Sequence, residues 1–178
     1  RLARILEINR DLAGERDLRR LLSRVTEHAI AIVGAERGFV VLTNDEGELE
    51  ARSARDRRGD LMDDPHVEFS RSVAADVVRT GEPVVIQRAA DDARLAEAVS
   101  VHRLNIQSIA CVPIRGFLRT HEGDSDVAGV TVSAHAIGAL YLETRSRPGA
   151  RFQAEVATLV AFADQAAIAI ENARLLEE

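Results

Sequence analysis

Few side chains in this sequence could do chemistry. There is one cysteine, Cys111, five histidines at positions 28, 66, 102, 121 and 135, and carboxylates spread from end to end. Thiol redox chemistry needs a nucleophilic thiolate and partners to resolve it. Cys111 stands alone inside the apolar stretch SIACVPIR, where a cysteine behaves as a small hydrophobe. His121-Glu122 begins like a zincin pair, but Ser125 occupies the place of the second histidine. No G-x-G and no G-x-S-x-G occur, and all 23 basic residues are arginine, so the dinucleotide fingerprint, the nucleophile elbow and the lysine-bearing P-loop are absent. His102 lies near Asp91 and Asp92, and imidazole is a good iron ligand, but no pair has firm ligand spacing and no metal site is assigned.

Composition narrows the classes further. With 46% apolar residues in 178, the chain can build one domain with a sizeable core. A net charge of −6 without a basic stripe argues against direct nucleic-acid binding. No run of about 18 apolar residues and no basic-then-apolar start is seen, so neither a membrane span nor a secretory signal is expected. A single cysteine fits a reducing cytoplasm. The chain starts at Arg1 and has its only methionine at 62, and it is read as a module of a longer polypeptide.

Elements able to position these residues follow from periodicity. Apolar residues at 2, 5, 8 and 12 predict a first helix, interrupted at Gly14. Asp17 is a candidate N-cap for a second helix with a stripe of Leu18, Leu21, Leu22, Val25, Ala29 and Ile32, closed by Gly34. RGFVVLTN (37–44) and ELEARSAR (48–55) predict a β-hairpin. Ser70 is a candidate cap for a helix that stops at Thr80-Gly81, and PVVIQ follows as a short strand. Residues 89–107 read as a short helix and an irregular approach to the strand 108–115. Residues 116–135 read as a long hairpin connection and 136–145 as another buried strand. After RPG comes a helix of roughly 25 residues, on the order of 40 Å long. Its stripe Phe152, Val156, Leu159, Ala163, Ala166, Ile170 and Ala173 repeats at alternate spacings of four and three. From Phe152 to Ala166 that stripe is expected to lie on the chain's own sheet.

In this order GAERGFVVL (34–42), SRSVAADVVRTGEPVVI (70–86), DDARLAEAVSVHRLNIQSIACVPIR (91–115), AIGALYLET (136–144) and FADQAAIAIENARLL (162–176) resemble the GAF family of sensory domains. The wording is similar to modules of bacterial enhancer-binding transcriptional activators, and comparable modules sit in sensor kinases and other signalling proteins. The resemblance implies an α+β, PAS-like fold: a central antiparallel sheet of about six strands, the N- and C-terminal helices on one face and a ligand pocket on the other. It divides the chain into an N-terminal signalling helix (1–16) and a domain (17–178) ending in an output helix (151–178). It also implies a cytoplasmic homodimer joined through the terminal helices, for which Leu2, Ile5, Leu12, Ile170 and Ala173 are the candidates, coupled to an effector domain. Asn9 falls at an a position of the first helix; equally, Ile5, Ile8 and Leu12 can face the core.

The cyclic-nucleotide signature of the family requires a lysine, which the chain lacks, and neither Cys-His nor the Asp-Ile-Pro of bilin binders occurs. With Cys111 alone, activity of the free methionine sulfoxide reductase type is disfavoured, and the domain is read as non-enzymatic. A small-molecule ligand, of unknown identity and with no cofactor assigned, would meet apolar walls at Phe39, Val41, Cys111 and Tyr141 and polar contacts at Asp92, Arg94 and His102. The plain alternatives are that these strand residues are core, that Asp92 and Arg94 only cap and solvate a short helix, and that the domain is a dimerisation module without ligand.

Overall fold

The computed structural model describes residues 2–64, 68–93, 104–121 and 130–177. Its elements are α1 (Leu2–Ala13), α2 (Leu18–Val33), β1 (Arg37–Thr43), β2 (Leu49–Asp56), α3 (Arg71–Thr80), β3 (Val84–Ile86), a 3-10 turn (Ala89–Asp91), β4 (Ser108–His121), β5 (Val130–Thr144) and α4 (Phe152–Glu177). The strands form one antiparallel sheet in the order β2-β1-β5-β4-β3. Among the described residues the sheet therefore has five strands, one fewer than the count expected.

Local chemistry sets the limits of α2. The Asp17 carboxylate accepts from the Arg20 amide at 3.0 Å, satisfying one of the open donors of the first turn. At the other end Gly34 adopts φ 70°, a left-handed conformation open to glycine at little cost, and its N–H closes onto the Ile30 carbonyl. Ser70 holds the N-cap position of α3, but its side chain makes no cap hydrogen bond; its hydroxyl lies 3.3 Å from that of Ser72.

The stretch 116–135 is the main departure from expectation. Its two ends belong to the ladder: Gly116 pairs with His135 and the pairing runs on to His121 opposite Val130, while residues 122–129 lie outside the described set. The segments that pair, GFLRTH (116–121) and VTVSAH (130–135), extend the neighbouring strands, and their β-branched residues suit that conformation. A register shift at Ile114/Arg115 marks where the extension begins. Of residues 89–107, the described part contains a 3-10 turn at Ala89–Asp91 and a helical residue at Leu104; the expectation of a short helix falls mainly on residues 94–103, which lie outside the described set.

Strand alternation divides the interior in two. On one sheet face Val40, Leu42, Ala110, Val112, Ile114, Leu140 and Leu142 share a core with α2 and α4, on which α1 packs in turn. On the other, Phe39, Val41, Ile109, Cys111, Ala139 and Tyr141 meet α3 and Phe69. The α4 stripe is buried within the chain past Ala166: Ile170 is 0% and Ala173 2% exposed, as is Leu12 of α1 at 2%. Ile8 is buried too, so the core reading of α1 holds at Ile8 and Leu12; the side chains of Leu2 and Ile5 lie outside the described set. By length and composition α4 could cross a membrane, but its buried stripe, from Phe152 to Ala173, is committed to the protein core.

Gly38 lets α2 approach the sheet. A Cβ there would stand 2.8 Å from Ile30 and 2.9 Å from Leu142, closer than carbon atoms tolerate. Gly38→Ala is expected to lower the unfolding free energy by about 1–3 kcal/mol, the usual cost of overpacking, as read from urea denaturation.

Candidate functional site

The wall residues chosen from sequence come together. Antiparallel register sets Val84 opposite Cys111, Cys111 opposite Tyr141, Tyr141 opposite Phe39 and Phe39 opposite Ala54, so one row crosses all five strands. Val41 lies one step along the same face, opposite Ala139. Phe39, Val41, Cys111 and Tyr141 are at most 1% exposed. Phe69 closes over the row, its ring 5.0 Å from that of Phe39 and 5.4 Å from that of Tyr141, while the Arg71 guanidinium lies 5.2 Å above it. In this structure the four are thus packed core beneath α3. Asp92 stands half-buried at the end of the 3-10 turn, whose Ala89 belongs to the same core. Arg94 and His102 lie outside the described residues.

Burial pushes the Cys111 thiol far above the ordinary cysteine range, so the reactive thiolate is scarce at neutral pH. Among the described residues, no group of three or more His, Cys, Asp or Glu is placed to hold a metal ion.

A polar cluster at one end of this core went unread in the sequence. Tyr141, Glu143 and Arg145 alternate, which puts all three on one side of the chain. The Tyr141 hydroxyl donates to Glu143 Oε2 at 2.8 Å and accepts from the Ser70 amide at 3.3 Å. Arg145 Nε donates to Glu143 Oε1 at 2.7 Å, and its Nη2 reaches the same oxygen at 2.6 Å and the Glu68 carbonyl at 2.8 Å. Glu143 is 0% exposed. Burial raises its pKa, against the pull of Arg145 and the Tyr141 hydrogen bond. Burial likewise drives the Tyr141 hydroxyl well up, with the neighbouring Glu143 adding to the rise. The available signal was the alternation itself, a tyrosine and two charges two residues apart at the end of an apolar strand.

Glu36 ties the same chain segment to the start of β1. It accepts from the Arg145 and Ser146 amides and, at 2.7 Å, from the Ser146 hydroxyl. Burial alone would raise its pKa, but the Ser146 hydroxyl, these amides and Arg147 outweigh it and the net shift is downward.

The layering defines an α+β domain, with a five-stranded antiparallel sheet between the terminal helices and α3. The GAF domain model matches residues 17–170, and the chain belongs to the GAF family. Among solved structures it is similar to the GAF domain of an Acinetobacter phosphoenolpyruvate-protein phosphotransferase (TM-score 0.66, 15% identity, 98% of this chain and 95% of that one covered). It is similar to a free methionine-R-sulfoxide reductase from Neisseria meningitidis in complex with its substrate (TM-score 0.66, 15% identity, 97% and 89% covered). It is also similar to the A. aeolicus nlh2 GAF domain in an inactive state (TM-score 0.63, 15% identity, 98% and 94% covered). At these identities the likeness is one of fold. No curated protein matches the chain.

Two measurements check the chemistry of this region. The Cys111 thiol is expected to stay unmodified by an aromatic disulfide reagent over the time in which the denatured chain reacts completely. Glu36→Gln is expected to lower stability at pH 7 by about 1 kcal/mol, a modest figure because solvent partly screens the group. Glu36 has a folded pKa below its unfolded one, so its contribution is present above the unfolded value and lost as pH falls through the folded one. The gap between variant and parent is expected to close on acidification in pH-dependent denaturation.

Proposed function

We propose that this chain is the non-enzymatic sensory module of a larger cytoplasmic signalling protein, a transcriptional regulator. In this reading a small molecule binds on the α3 side of the sheet and its signal leaves through α1 and α4 of a homodimer to an attached effector domain. The observation that carries it is the alternation of the central strands. Ile109 and Cys111 face the α3 side, while Ala110, Val112 and Ile114, between and beyond them, pack with α4. A ligand that moves β4 or β5 from one side therefore displaces the seat of the terminal helix on the other, and two states of differing ligand affinity are all that signalling requires. The likeness to the A. aeolicus domain in an inactive state supports a regulatory role.

The homodimer contact is assigned to side chains left outside the core. Ile170, Ala173 and Leu12 are occupied within one subunit, whereas Leu6, Ile168, Leu175 and Leu176 are 57%, 49%, 68% and 65% exposed. A groove of about 400 Å³ between α1 and α4 is lined by Asn9, Leu12, Gln165, Ile168, Asn172 and Leu176. Asn9 Oδ1 is buried without a hydrogen-bond partner among the described residues, an acceptor that a second subunit could satisfy.

The rival reading, a sulfoxide reductase, draws on the fold shared with the Neisseria enzyme. It needs a nucleophilic thiolate and partners to resolve it, and Cys111 is the chain's sole cysteine and buried.

Native mass spectrometry of the purified chain tests the proposal. A dimer with a reproducible added mass is expected, and the double variant Ile168→Glu/Leu176→Glu is expected to be monomeric with an unchanged far-UV circular dichroism spectrum and a melting temperature that no longer depends on concentration. A monomer without added mass at every concentration, or turnover of free methionine sulfoxide, would overturn it.

A further inference from the structure

The two sides of the sheet are held by different forces. On one side, α2 alone buries nine residues. On the other, α3 buries only Val73, Ala74 and Val77. An element with so few apolar anchors belongs to the part of a fold that opens locally at low cost. What secures the start of α3 is polar: the Ser70 amide on the Tyr141 hydroxyl, and the Glu68 carbonyl on Arg145 Nη2. Glu143 joins the two, accepting from Tyr141 Oη and from Arg145 Nε. Between these bonds Phe69 inserts its ring against Phe39 and Tyr141.

We propose that α3 is a movable cover of the wall row and that Tyr141, Glu143 and Arg145 form the clasp that holds it shut. Glu143 and Arg145 are positioning residues: they act on the row through the 68–70 segment and need not touch a ligand. Arg71 adds a bond to the Leu49 carbonyl at 3.2 Å that does not pass through the clasp, while Glu143 stays fixed in the sheet, with Arg37 and Ile109 as its partners in the β1 and β4 registers. When the clasp opens, Phe69 leaves the face of Tyr141 and the row of Phe39, Tyr141 and Cys111 becomes reachable from the α3 side. This is how a packed core could admit a small molecule without separating the strands. The groups are joined in a chain, so loss of the central carboxylate frees both outer bonds together.

The inference rests on the reading that this sheet face is the sensing face, but its test uses no ligand. Amide hydrogen exchange of the whole chain is followed by mass spectrometry for the parent, Glu143→Gln and Tyr141→Phe. In Glu143→Gln, peptides covering 68–80 are expected to exchange at least about tenfold faster, the effect of losing a charge-assisted hydrogen bond, with α2 and α4 unchanged. In Tyr141→Phe, which keeps the ring and removes only the hydroxyl, a smaller acceleration confined to the first turn of α3 is expected. If Glu143→Gln fails to fold, Arg145→Gln carries the same test from the edge of the cluster, where the arginine side chain is 20% exposed. Unchanged exchange in 68–80, or equal acceleration in every element, would overturn the clasp. A chain that binds no small molecule yet shows the selective acceleration would refute the sensing reading alone.

Discussion

The structure depends on one constraint: β4 and β5 are covered on both faces. Neighbouring residues of a strand point to opposite sides, so each step along SIACVPI delivers side chains alternately to the helices and to α3. Everything else takes its place from this pair. β1 adds to the free edge of β5 and carries β2 outward, while β3 adds to β4. The long α4 lies over one face because small side chains, Ala163, Ala166, Ala167 and Ala173, bring its backbone close without a void.

The two covers differ in kind. Aliphatic and aromatic burial by α2 and α4 is non-directional and spread over many residues, so no single contact controls it. The α3 side concentrates its directional bonds in a few atoms around a fully buried carboxylate. Such a carboxylate is costly to bury and tolerable only with its partners in place. A fold with one diffusely held side and one side held at points is suited to move on the latter while the former stays intact. The two covers share their strands, because β4 and β5 line the wall row on one face and seat the terminal helix on the other.

Much of this was legible in the residues. Asp17 and Gly34 mark the ends of α2 by local capping chemistry, and the apolar runs 37–43 and 108–115 are strands wherever they are placed. The GAF resemblance rested on five segments in order, and the family match extends over residues 17–170. Phe39, Cys111 and Tyr141 were chosen as wall residues from alternation, and register does set them in one row. The extension of β4 and β5 beyond 115 and before 136 was missed: VTVSA (130–134) carries a β-branched alternation, but which segment it pairs with is fixed only by the register of the sheet.

The sequence by itself determined the elements, their caps and which side chains share a face, since each depends on residues within a few positions of one another. Only the tertiary structure decided what covers each face. The heptad spacing of α4 is equally that of a dimer seam and of a helix on its own sheet, and packing assigns Ile170 and Ala173 to the latter. The clasp is of the same kind. Tyr141 meets Ser70 across 71 positions, and Ser146 meets Glu36 across 110. Periodicity carries a side chain's direction but not the identity of the group it will meet, so a buried Glu143 looks in sequence like any charge at the end of a strand.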